Sequence, residues 1–259
     1  MRNWLYGMPA LLLILVCFAL FAAVVGGTRL LLRRRISEER RTALVDHSGT
    51  VLSPVGTVFA FLIGFAITMA WGAVSAGQDS VDAQSAAAQQ LSWSSSNISD
   101  QAGAQRIQRD LVTYLEQSVT LDWKALASGT YGALPSAKAF SALQDTVHDV
   151  SYRAGAAVPE GSAMTTAAAA LTAAQSKTVA VAQRSLPGIL LTLIAVAGLL
   201  LAICFGIASA DVERPVLTYA WAFVAALSVA VVLMLDAPFS GSITVSPEPL
   251  QVALESIRS

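Results

Sequence analysis

Charge is scarce in this sequence, and its scarcity is concentrated. Lys, Arg, Asp and Glu make up 13% of the 259 residues while 55% are hydrophobic, a ratio outside the usual range for a soluble domain. No acidic or basic residue occurs between Arg2 and Arg29, between Arg184 and Asp211, between Arg214 and Asp236, or within 51–74. About 20 apolar residues, each rising 1.5 Å along a helix, cross the hydrocarbon of a bilayer. Each of the four runs reaches that length, and none carries the polar stripe of a soluble core helix. They predict spans at about 5–32, 51–74, 186–210 and 215–235. The first run is too long for the apolar core of a secretory signal and leads into Arg33, Arg34 and Arg35, so it reads as a retained anchor.

Other absences exclude whole classes of function. The two cysteines, Cys17 and Cys204, both fall inside predicted spans, which argues against a disulfide framework or a thiolate metal site. The two histidines, His47 beside Asp46 and His148 beside Asp149, read as interfacial or surface pairs, and two isolated histidines make no metal site. A net charge of -1 leaves no electrostatic footprint for nucleic acid. There is no hydrolase, phosphate-loop or zinc pattern. Asp110, Glu116, Asp122 and Lys124 read as ordinary surface charges, so neither catalysis nor a cofactor is expected. No carboxylate, lysine or histidine lies inside a span, and proton-coupled carriers retain such groups despite their cost in lipid. There is no internal repeat.

What is present divides the chain into four parts: a first helix pair (1–74), a polar helical domain (75–185), a second transmembrane hairpin (186–235) and a tail (236–259). Trp4 and Tyr6 are placed like interfacial anchors of the first span. Its connector to the second, 33–50, sets Arg33, Arg34, Arg35, Arg40 and Arg41 against Glu38, Glu39 and Asp46. In the polar domain Ile107, Leu111 and Leu115 recur at i+4, and Tyr114, Val119 and Leu126 continue that helical face. Three or four helices fit, with breaks near 94–103, 129–135 and 155–161. The last runs from about 162 towards Arg184 and into the third span, with a kink expected at Pro187. The short link between the third and fourth spans requires an antiparallel hairpin. The tail begins with turn residues and ends in a short amphipathic stretch.

Span two is the most patterned. Gly56, Ala60, Gly64, Thr68 and Gly72 recur every four residues, a ridge of small side chains along which another helix can approach closely. Beside it, at the same spacing, stand Thr57, Phe61, Phe65 and Met69. One reading makes that stripe core or lipid-facing bulk. The other makes it a pore constriction, since rings of apolar side chains from several subunits gate ions by dewetting.

Three blocks resemble the bacterial bestrophin-like (DUF4239) membrane proteins: FLIGFAITMAW (61–71), YLEQSVTLDW (114–123) and, most specifically, LDAPFSGSITVSPE (235–248). With the two-plus-two order of spans, the resemblance covers most of the chain from His47 onward. It implies an all-α membrane protein with four transmembrane helices and a helical domain between the second and third. It further implies a homo-oligomer, pentameric as in bestrophins, that conducts an anion such as chloride through a pore lined by the second span. Phe61, Gly64 and Phe65 match the hydrophobic neck of that family. Thr57 departs from it, since the channels carry Ile one turn earlier, and would make the neck wider and more polar at one level. Pro238, Phe239 and Gly241 are similar to the turn that follows the last span. The acidic calcium-binding run of animal members is replaced here by Ser242, Ile243, Thr244 and Val245, so calcium gating is not implied. Asp236 is expected to close the helix and orient this turn; the alternative is a charged ring at a pore mouth.

Two questions stay open at this point. The chain is expected in the bacterial cell membrane as a multi-pass protein, but its orientation is contested. The positive-inside rule places the 33–50 connector, flanked by six arginines counting Arg29, in the cytoplasm and the 75–185 domain outside. The resemblance implies the reverse. Charge bias in a short loop is the more direct cue and is preferred. The second question is conduction itself, because a non-conducting sensor or scaffold whose helical domain binds a ligand or partner protein would have the same spans.

Overall fold

The computed structural model describes residues 9–154, 159–240 and 243–258. Trp4, Tyr6 and Gly241 lie outside the described residues. Among those described the chain is all-α, without a strand. Its helices are α1 (Ala10–Arg35), α2 (Glu38–Ser96), α3 (Gln101–Gln117), α4 (Trp123–Ala127), α5 (Ala137–Ala154), α6 (Pro159–Ala182), α7 (Gly188–Ala208), α8 (Val216–Leu235) and α9 (Glu248–Arg258). A π-helical turn, Ser118–Asp122, joins α3 to α4. Four helices, α1, α2, α7 and α8, are long and apolar enough to cross a membrane, as the four charge-free runs predict.

Helix α2 is longer than the second apolar run. Residues 38–50, read from sequence as connector, are helical, and the helix continues for 59 residues to Ser96 with Pro54 inside it. Proline removes one backbone hydrogen bond, but no second proline follows within the helix, and the Ala-rich stretch beyond the apolar run has high helix propensity. Pro187 does not kink a helix. It is the residue ahead of α7, after α6 has ended at Ala182; proline is tolerated at a helix start because the N–H it lacks has no intrahelical acceptor there.

The chain divides into two compact units. The first holds the described parts of 1–72, 185–237 and 241–243. Within it α1 packs on α7 and α8. Leu13 and Cys17 meet Ala226, Ala230 and Met234 in one cluster, and Val25 meets Ala202 and Ala222 in another. Small residues allow the close approach: a Cβ added at Gly206 would lie 2.6 Å from Thr28 Cβ and 2.9 Å from the Val25 carbonyl oxygen, and one at Gly198 would lie 3.3 Å from the Phe59 ring. Gly198, Ala202 and Gly206 thus form a period-four row of small residues in α7, a second such row beside that of span two.

The second unit holds the described parts of 73–184, 238–240 and 244–259. Ile107, Leu111, Tyr114, Leu115 and Leu126 are buried there as the helical period predicts, while Val119 is half-buried. Helix α3 packs on α5 and α9, and α5 on α6; Leu143 and Val147 of α5, Leu171 of α6 and Leu250 of α9 are likewise buried. Asp122 corrects the sequence reading: it is only 2% exposed, not a surface charge. Its position seven residues after Leu115 puts it on the buried side of the same helical period, and its hydrogen bonds make that burial tolerable.

Candidate pore-lining face

In the first unit the period of α2 separates two faces. Phe59, Ile63, Ala66 and Ala70 are buried and lie on one side, because residues three and four apart stack on a helix. The opposite side carries Thr57, Phe61, Phe65 and Met69, all exposed, with Phe61 at 72% and Phe65 at 51%. The small ridge lies next to this stripe. Ala60, Gly64, Thr68 and Gly72 are exposed and Gly56 is half-buried. A Cβ added at Gly64 or Gly72 would meet nothing within 4 Å. A Cβ at Gly56, by contrast, would lie 3.9 Å from Leu201 Cδ1, so among the described residues the ridge is open at Gly64 and Gly72 and bounded at Gly56. Gly56, Ala60 and Gly64 form one wall of a groove of about 780 Å³, whose other wall includes Leu201, Trp221 and Ala225.

Asp236 ends α8 and is 4% exposed. Its carboxylate accepts the backbone N–H of Leu186 at 2.6 Å, just ahead of α7. This one side chain joins the end of the last span to the start of the span before it.

In the second unit Phe239 is buried and meets the Trp123 ring edge-on at a centroid distance of 5.7 Å. The indole N–H of Trp123 donates to the Val245 carbonyl at 3.3 Å, and the Val245 N–H donates to the Pro238 carbonyl at 2.8 Å. Gly77 of α2 faces this turn closely: a Cβ there would lie 2.6 Å from Val245 Cγ2. The tail is tied further by Ser246 N–H to Gln78 Oε1 at 3.1 Å, by Ser85 Oγ to the Pro249 carbonyl at 2.8 Å, and by an Arg258–Glu116 ion pair.

The second unit also holds a polar knot that sequence reasoning missed. Asp122 accepts from the Ser136 backbone N–H at 3.0 Å and from its hydroxyl at 2.5 Å. Tyr114, wholly buried, accepts a hydrogen bond from the Gln84 amide on α2. Burial pushes the Asp122 carboxyl above the ordinary carboxylate range, although its bonds to Ser136 pull the other way. Burial first, and then the nearby Asp122, push the Tyr114 phenol up. This places a buried acid beside a buried phenol, with the Ser136 backbone N–H and hydroxyl and the Gln84 amide as hydrogen-bond donors to them. His148 is exposed, and its neighbour Asp149 is held below the usual range by its hydrogen bond to Arg153. No group of three or more metal-ligating side chains occurs among the described residues.

Comparison with known proteins adds the family. The chain is similar in structure to a bacterial bestrophin homologue from Klebsiella pneumoniae solved by zinc phasing, with a TM-score of 0.71 at 12% identity over 96% of each chain. A tyrosine-to-alanine form of that homologue gives a TM-score of 0.70 at 12% identity over 95% of each chain. At such identities the likeness establishes the fold alone. No curated protein matches the sequence. The sequence model of the Bestrophin-like domain, however, matches residues 19–250, and by that match the chain belongs to the bestrophin-like family of membrane proteins.

Proposed function

We propose that this protein is an oligomeric ion channel in which α2 of each subunit faces a common axis and Phe61 and Phe65 form a hydrophobic neck, with Met69 one turn beyond and Thr57 one turn before. The observation that carries this is the exposure of that stripe on the face of α2 opposite the one buried in its own subunit. Several such faces around an axis make apolar rings, which close a pore by excluding water. The adjacent ridge of Ala60, Gly64 and Thr68 then supplies the flat surface on which helices of neighbouring subunits approach. Five subunits and an anion such as chloride are the count and the ion that the family resemblance implies.

One observation favours a second reading of the ion. Asp79 and Asp82, on the part of α2 that belongs to the second unit, are exposed. Rings of carboxylates attract cations. Purified protein in liposomes should pass ions, faster when Phe65 is replaced by Ala, and the reversal potential under a chloride gradient should decide the sign of the ion. Absence of flux from both wild type and Phe65→Ala, or a monomeric mass in mild detergent, would leave the non-conducting sensor as the better account.

A further inference from the structure

The connector arginines are not equivalent, and the difference points to a ligand. Arg33 donates to the carbonyl oxygens of Ala210 and Val212 at 2.6 and 3.0 Å. Arg29 donates to those of Val212 and Glu213. Arg41 pairs with Asp211 and, at 3.9 Å, with Glu38. These three arginines are used within the subunit, holding the loop after α7. Arg35 and Arg40 have no ion-pair or hydrogen-bond partner among the described residues, and both are exposed. They line a cavity of about 580 Å³ whose remaining wall is Ile36, Ser37, Ala43 and Leu44. The acidic residues of the connector, Glu38, Glu39 and Asp46, are absent from that lining.

The surroundings select what fills it. Arg35 is the last residue of α1, with Arg29, Arg33 and Arg34 between it and the charge-free run, so the cavity sits at the end where this spanning helix leaves its apolar stretch. One turn back along α1 from Arg35 stands Leu31, 62% exposed, and Leu44 in the wall is 40% exposed. Two unpaired guanidinium groups suit a phosphate, to which arginine donates in forks. Exposed leucines beside them suit an acyl chain, which free phosphate lacks. We propose that Arg35 and Arg40 hold the phosphate headgroup of an anionic phospholipid whose acyl chain lies along Leu31 and Leu44. This goes beyond the channel reading and does not depend on it, because the site is complete in one subunit.

The test is retention of lipid by the full chain, exchanged from detergent containing equal phosphatidylglycerol and phosphatidylcholine and read by native mass spectrometry. Wild type should retain phosphatidylglycerol preferentially. Removing each arginine should weaken that retention by about fivefold, so R35A/R40A should lose the preference while Arg109→Ala, in the polar domain, keeps it. In case the double variant fails to fold, Leu44→Glu retains both arginines but sets a carboxylate in the wall, and it too should lose the preference. Unchanged retention in whichever of these variants folds overturns the proposal. So does protection of wild type against heat by inorganic phosphate equal to that by phosphatidylglycerol, since the ligand is then the free ion.

Discussion

Asp122 and Asp236, both buried, each accept a backbone N–H ahead of a helix, from Ser136 before α5 and from Leu186 before α7. A buried carboxylate persists only where such bonds offset its desolvation. Replacing Asp122 with Ala strands the Ser136 N–H and hydroxyl, which should cost about 1–3 kcal/mol, read as a lower denaturation midpoint of the solubilised protein. Its titration gives a second prediction. A carboxyl whose folded value is raised contributes most to stability below its unfolded value of 3.8, and that contribution is lost as pH rises through the folded value. Asp122→Asn removes the titration, so on acidification from about pH 7 towards 4 the wild type should gain stability relative to this variant. A difference between the two that is flat with pH would contradict the raised value. The burial of Asp122 was legible in principle from its period with Leu111 and Leu115. Nothing in the sequence, however, marks Ser136 as the partner that makes it tolerable.

Helices raise the same question for small residues. Two period-four rows occur, Gly56 to Gly72 in α2 and Gly198, Ala202 and Gly206 in α7. They look alike in sequence, yet only the second is packed hard within the subunit. Gly206→Ala would push Cβ against Thr28 and the Val25 backbone, and overpacking of that kind typically costs 1–3 kcal/mol, so its thermal midpoint in detergent should fall. Gly64→Leu meets open space and should leave the unfolding of the isolated subunit unchanged. It should instead reduce the mass of the assembly by light scattering, because on the channel reading the α2 row packs between subunits. Equal effects of the two changes on the thermal midpoint would show that the α2 row already has a partner in its own chain.

At the scale of the molecule, the charge rule and the family resemblance assign opposite sides of the membrane to the polar helical domain. Ser128, exposed in the turn after α4, provides the label. With Ser128→Cys, intact cells should react with an impermeant maleimide, as the arginine-rich connector requires; a well-expressed protein that stays unlabelled would reverse the orientation. The sequence by itself determined the number and place of the spans, because apolar length without charge is a local property that a bilayer selects directly. It also determined the period of span two, and with it the stripe of Phe61 and Phe65, and that of the helical face from Ile107 to Leu115. Which faces find partners was decided only by the tertiary structure. The Ser136 partner that makes the burial of Asp122 tolerable, the packed row of α7, and the tie of Arg29, Arg33 and Arg41 to the loop after α7 all depend on residues that only folding brings together. Burial is a property of a side chain's neighbours, and the folded chain alone brings those neighbours together.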